Sequence, residues 1–242
     1  MQTQTEALVI AVLMHLLAAY AVVAAPSLGR IWYEKARRRI AAGVRGAKVR
    51  LYREIVVEQI ITTGLVLLLW RSGLSATSLG LVAPRSWLWT MTALFTIVGL
   101  LAWSSLLLRP KAAKIREKVR DRIGVLLPDT HQERFWFGAV SVGAGVSEEL
   151  VFRGFLLVYF SFYLPHLNTA EKVLLTSLVF GFAHIYQGWK GVVGAGILGL
   201  VLAGLYLTTG SLLLPVVIHA AADYRALLIF PPSAAIAVES RA

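Results

Sequence analysis

The chain has 242 residues, 57% of them hydrophobic and 15% charged, with a mean hydropathy of +0.70. Soluble domains are closer to half apolar, so this composition points to a membrane protein. The net charge of +11 is concentrated in two stretches between apolar runs. That pattern reads as cytoplasmic loops against anionic lipid rather than a nucleic-acid-binding surface. With no cysteine, disulfides, thiol catalysis and thiolate metal sites are excluded.

Residues 7–25, ALVIAVLMHLLAAYAVVAA, have the apolar core of a secretory signal. No Lys or Arg precedes them, and Glu6 is the nearest charge, so the basic segment that a signal needs is missing. The stretch reads as a retained first transmembrane helix. A helix needs about 20 apolar residues to cross the hydrocarbon, and further spans are expected at 55–70, 88–108, 135–163, 172–187, 191–209 and 211–230. The stretch 135–163 is long enough to be tilted, broken or followed by a re-entrant turn. The expected fold is all-α: a polytopic integral membrane helical bundle of about seven to eight transmembrane helices. It forms one domain over 1–242, with N-terminal helices in 1–134, a core in 135–230 and a tail in 231–242.

Orientation follows from the basic loops. Arg30, Lys35, Arg37, Arg38, Arg39, Arg45, Lys48, Arg50 and Arg53 crowd residues 30–53, and Arg109, Lys111, Lys114, Arg116, Lys118, Arg120, Arg122 and Arg134 crowd 109–134. The segment between, 71–87, has only Arg71 and Arg85. The positive-inside rule puts both rich loops in the cytoplasm and the N-terminus outside. Residues 36–60 have the composition of a cationic amphipathic helix lying on the inner leaflet.

Charges inside the spans mark a site or pathway, because one at the bilayer centre costs at least ~2.5–3.5 kcal/mol. Residues 147–153, SEELVFR, carry Glu148, Glu149 and Arg153. At helical spacing Glu149 and Arg153 lie about 40° apart and Glu148 and Arg153 about 140° apart. Glu149 and Arg153 therefore pair in the favourable i,i+4 order, and Glu148 is left over. A purely structural cluster stapling the bundle fits this span equally well. His184 follows TSLVFGFA, where a single histidine is usually a packing residue. His219 and Asp223 are i,i+4, share a face and are expected to hydrogen-bond, fixing the imidazole tautomer. Pro215 is expected to kink that span or free a carbonyl one turn before His219. His15 and Glu58 have no companion at helical spacing and are assigned no chemistry. Glu plus His around a water is the minimum apparatus for activated hydrolysis.

Three motifs in order carry a family resemblance. Glu148-Glu149-Leu150-Val151-Phe152-Arg153 fits E-E-x-x-x-R, Phe180-Gly181-Phe182-Ala183-His184 fits F-x-x-x-H, and His219-Ala220-Ala221-Ala222-Asp223 fits H-x-x-x-N/D. Over residues 135–225 the chain resembles the CAAX-protease and bacteriocin-processing (CPBP or Abi) family of intramembrane endopeptidases. The resemblance implies a helical bundle around a conical, water-filled cavity open to the cytoplasm. It implies Glu148 as the carboxylate activating water with help from His184, His219 and Asp223 on the oxyanion side, and Glu149 and Arg153 as support. The family's prenyl-protein proteases usually carry Asn where this chain has Asp223, which weakens a prenyl substrate and leaves peptide hydrolysis intact.

No cofactor is favoured. Zinc is the alternative, with Glu148, His184 and His219 as candidate ligands, although H-E-x-x-H is absent. The expected partners are the lipid bilayer and a peptide or prenylated protein substrate, with no nucleic acid. The expected location is a bacterial inner membrane. Two competing readings are a non-catalytic scaffold or bacteriocin-immunity protein with a degenerate site, and a proton-coupled transporter. The absence of an internal repeat argues against the transporter.

Overall fold

The structure, a computed structural model, describes residues 4–231, with the side chains of 120–122 excepted. The expected C-terminal tail lies outside the described residues apart from Pro231. Among the described residues every regular element is helical. Helix α1 spans Gln4–Ala41, with a π-helical stretch at Tyr20–Ala24. It is followed by α2 (Ala47–Arg71), α3 (Trp87–Leu108) and a short α4 (Ala112–Ile123). Next come α5 (His131–Tyr163), α6 (Thr169–Ala183), α7 (Trp189–Thr209) and α8 (Leu213–Ile229).

Each expected span falls on a helix. Gln4–Ala41, Trp87–Val119, His131–Tyr163 and Trp189–Thr209 are long and apolar enough to cross a membrane by themselves. The other spans fall on α6 and α8, which are shorter, and on α2, which carries more charge. Leu88, Phe95, Leu100 and Trp103 on α3 are all more than 60% exposed. A helix so apolar and so bare is stable only against lipid, which fits an integral membrane bundle.

Helix α5 is central, packed between α2 and α8, while α3 leans on the outside of α8 and α6 pairs with α7. Its start is set by a capping box in which Thr130 accepts from the Glu133 backbone N–H and the Glu133 carboxylate accepts from that of Thr130. Asn168 and Glu171 do the same for α6.

Two local expectations are corrected. Residues 36–60 are not one helix, because Gly43 and Gly46 both have positive φ (70° and 68°) and turn the chain between α1 and α2. Only glycine enters that region at no steric cost. Pro215 neither kinks α8 nor frees a carbonyl mid-helix: it stands in the first turn, two residues after Leu213, where its missing N–H would have had no helical partner.

The two basic stretches meet at one end of the bundle. Lys48 donates to the Leu127 carbonyl (2.8 Å) and pairs with Asp129, which also pairs with Arg116, and the Tyr52 hydroxyl donates to the Leu126 carbonyl (3.1 Å). At the other end the Arg85 guanidinium caps the Leu207 carbonyl of α7 (2.8 Å).

Candidate active site

The opening of α5 into a π-helix at Leu150–Phe155 begins directly after the two glutamates, and every residue in it is buried. Such π-turns cluster at functional sites. Arg153 is 1% exposed and is held on three sides. Its guanidinium donates to Glu149 Oε1 (2.7 Å) and to the Gly199 carbonyl (3.1 Å), and its Cζ lies 4.4 Å from the Phe180 ring centroid. The pairing read from helical spacing is present, as a buried rather than a surface ion pair.

The carboxylate of Glu149, 0% exposed, also reaches α8. His219 Nδ1 lies 2.7 Å from the same Oε1. That oxygen already accepts from Arg153, so Nδ1–H is the donor. The expected His219–Asp223 hydrogen bond is therefore corrected: Asp223 Oδ2 lies 3.9 Å from the other nitrogen, Nε2, too far for a hydrogen bond. Glu149 fixes the tautomer, from 70 residues away in sequence.

His184 caps the C-terminus of α6, with Nδ1 2.9 Å from the Phe180 carbonyl. A carbonyl only accepts, so Nδ1 carries a proton and Nε2 is the nitrogen left to face Glu148. The Phe180 ring packs beside both imidazoles, 4.8 Å from His184 and 5.7 Å from His219. Two histidines from two helices thus have Nδ1 committed and Nε2 turned toward one carboxylate. Glu148 Oε2 lies 3.9 Å from His184 Nε2 and 3.8 Å from His219 Nε2. That oxygen is enclosed and has no hydrogen-bond partner.

Close helix approach makes this convergence possible. A Cβ on Gly145 would meet the Val216 carbonyl at 2.6 Å and the Ala220 amide at 3.0 Å, so only glycine lets α5 lie this close to α8 beside His219. On Gly181 a Cβ would meet the Val192 carbonyl at 2.7 Å, which likewise holds α6 on α7.

Glu148 and His184 face a cavity of about 160 Å³ that Tyr20, Trp32, Tyr33, Glu58 and Tyr186 also line. A larger apolar groove between α1 and α2, about 1120 Å³, shares Tyr20, Trp32, Glu58 and Thr62 with it. Asp223, with 42% of its side chain exposed, stands one turn beyond His219. Sequence reasoning missed Glu58. Its partner is the Tyr20 hydroxyl, which donates to Glu58 Oε1 from another helix, and no helical spacing could reveal that. His15 is a packing residue, its ring against Tyr159 and Tyr163.

The three candidate zinc ligands, Glu148, His184 and His219, come from three helices and face one another. Among the described residues no three His, Asp or Glu side chains are arranged to hold a metal ion.

Residues 130–225 match the family described as Rce1-like, type II CAAX prenyl endopeptidase. Over that stretch, less than half of the chain, the sequence is similar to this family. The matched segment runs from the cap of α5 to Arg225 on α8 and contains Glu148, Glu149, Arg153, His184, His219 and Asp223. The resemblance read from three short motifs is thereby borne out, at the level of a CAAX-type intramembrane protease family. No curated protein and no solved structure matches the chain.

Proposed function

We propose that this integral membrane protein is an endopeptidase that adds water to a peptide bond of a membrane-associated substrate, prenylated or not. The observation that carries the proposal is the convergence of both Nε2 atoms on the unpartnered Glu148 Oε2. In this scheme Glu148 takes a proton from water held between it and His184, and the water oxygen bonds to the scissile carbonyl carbon. The resulting oxyanion accepts from Nε2–H of a doubly protonated His219, whose Nδ1–H stays on Glu149, and from the hydroxyl of a protonated Asp223. Glu148 then returns the proton to the amide nitrogen, the C–N bond breaks, and no covalent enzyme intermediate forms. Proton transfer of this kind is worth about 10²–10⁴ in rate, and one oxyanion donor about 10²–10³. Glu149 and Arg153 act through His219, by holding its ring.

The chemistry we propose is metal-independent, a reading supported by the absence of H-E-x-x-H from the sequence. The proposed setting is a bacterial inner membrane with the N-terminus outside and the basic end cytoplasmic. The positive-inside rule supports that orientation, as does the contact of both basic stretches at one end.

The deciding experiment is cleavage of prenylated and unprenylated peptides by purified protein, with and without chelator. Glu148→Gln should lose at least about a hundredfold in kcat while inserting and melting like the parent, and chelator should change nothing. Cleavage retained in Glu148→Gln refutes the assignment.

A further inference from the structure

The cavity beside Glu148 has walls that the hydrolytic scheme does not use. No Lys or Arg lines the chamber itself; Lys35, Arg50 and Arg53 line the adjoining groove that shares Tyr20, Trp32 and Glu58 with it, and none of them forms an ion pair with Glu58 among the described residues. Facing the space are the rings of Tyr20, Trp32, Tyr33 and Tyr186 and a second carboxylate, Glu58. The Tyr33 and Tyr186 rings stand 5.6 Å apart, tilted by 35°. Glu58 accepts from the Tyr20 hydroxyl, and no ion pair reaches it among the described residues. Tyr20 opens the π-helical stretch of α1.

A carboxylate within an apolar bundle is costly unless a cation or a proton neutralises it. Aromatic faces around a carboxylate are the arrangement that stabilises an organic cation, through the ring quadrupoles and the opposite charge together. At about 160 Å³ the space is smaller than the roughly 300–1,000 Å³ of sites for whole small molecules. It suits one extended side chain.

We propose that this chamber is a subsite for a cationic side chain, lysine or arginine, next to the scissile bond of the peptide substrate. The subsite rests on the endopeptidase reading above. Glu58 pairs with the ammonium or guanidinium, Trp32 and the tyrosines flank it, and the scissile carbonyl is thereby presented to Glu148. A carboxylate at the same place has no cation to meet and faces two acids.

The test uses full-length protein in lipid nanodiscs and matched peptides that differ only by lysine, norleucine or glutamate beside the cleaved bond. The lysine peptide should have roughly tenfold higher kcat/KM than the norleucine peptide, and the glutamate peptide should be the poorest. Glu58→Gln should bring the lysine-to-norleucine ratio close to one, and Trp32→Leu should lower it several-fold. Equal kcat/KM for all three peptides overturns the subsite and leaves the endopeptidase standing. If no peptide is cleaved, the endopeptidase reading fails and binding decides the subsite. Fluorescence anisotropy of labelled lysine and norleucine peptides on Glu148→Gln protein should give a roughly tenfold difference in Kd, abolished by adding Glu58→Gln. Equal Kd values refute the subsite, as they do if Glu58 is simply a protonated acid bonded to Tyr20.

Discussion

Replacing Arg153 by Met tests how the site is held together. The substitution keeps the length of the side chain and removes its charge. It leaves the Glu149 carboxylate 0% exposed, with only the His219 Nδ1–H, 2.7 Å away, to balance it. Stranding one partner of a buried pair costs about 3–5 kcal/mol, against a typical total stability of about 5–15 kcal/mol. At about 2–4 °C per kcal/mol for a chain of this size, melting should fall by about 6–20 °C. The double variant Glu149→Gln/Arg153→Met removes both charges, and the new amide oxygen can still accept from His219. It should recover most of the loss, since replacing both members of a buried pair is often neutral. Melting followed by tryptophan fluorescence in detergent gives the double-mutant cycle. A drop of less than about 1 kcal/mol in Arg153→Met, or a double variant no more stable than the single, would refute a desolvated, coupled pair.

Three other outcomes are expected. Gly145→Val should lower both stability and cleavage, because the added atoms push α5 off Val216 and Ala220 and separate Glu149 from His219; unchanged melting and rate would disprove the close approach. Asp223→Asn, whose amide can always donate, should cleave as fast as the parent or faster, and a hundredfold loss in kcat would show that the carboxylate itself is needed. At the basic end, burial alone would raise the Asp129 carboxyl, but its hydrogen bonds to Lys48 and Arg116 and their charges hold it below the usual range. A lowered folded-state value adds stability above the ordinary carboxylate pKa of about 3.9, and the gain is lost as pH falls through that value toward the depressed one. Melting temperature should therefore drop below about pH 4, less steeply in Asp129→Asn; identical pH profiles would show that the Lys48–Asp129–Arg116 cluster contributes nothing.

The helical bundle was legible in the sequence because lipid leaves little choice. A span with no water around it must satisfy its backbone internally, so apolar length alone announces a helix. The Glu149–Arg153 pair was legible for a similar reason: i,i+4 neighbours meet on any helix, and even the π-turn that begins at Leu150 left them together. Three short motifs, each on its own apolar run, were enough to suggest the CAAX-protease family, and residues 130–225 match a family model of that kind.

Contacts between helices were decided by tertiary structure alone. Spacing within α8 suggested Asp223 as the partner of His219, yet the stronger partner is Glu149 on α5, brought near where Gly145 removes the side chain between the two helices. Glu58 had no visible companion because Tyr20 lies on a different helix, 38 residues earlier. Helical periodicity reports which residues share a face, and that sufficed to single out Glu148 as the unpaired acid. It carries no information about which face of another helix lies opposite, so the convergence of the two histidines on Glu148 appears only once the bundle has packed.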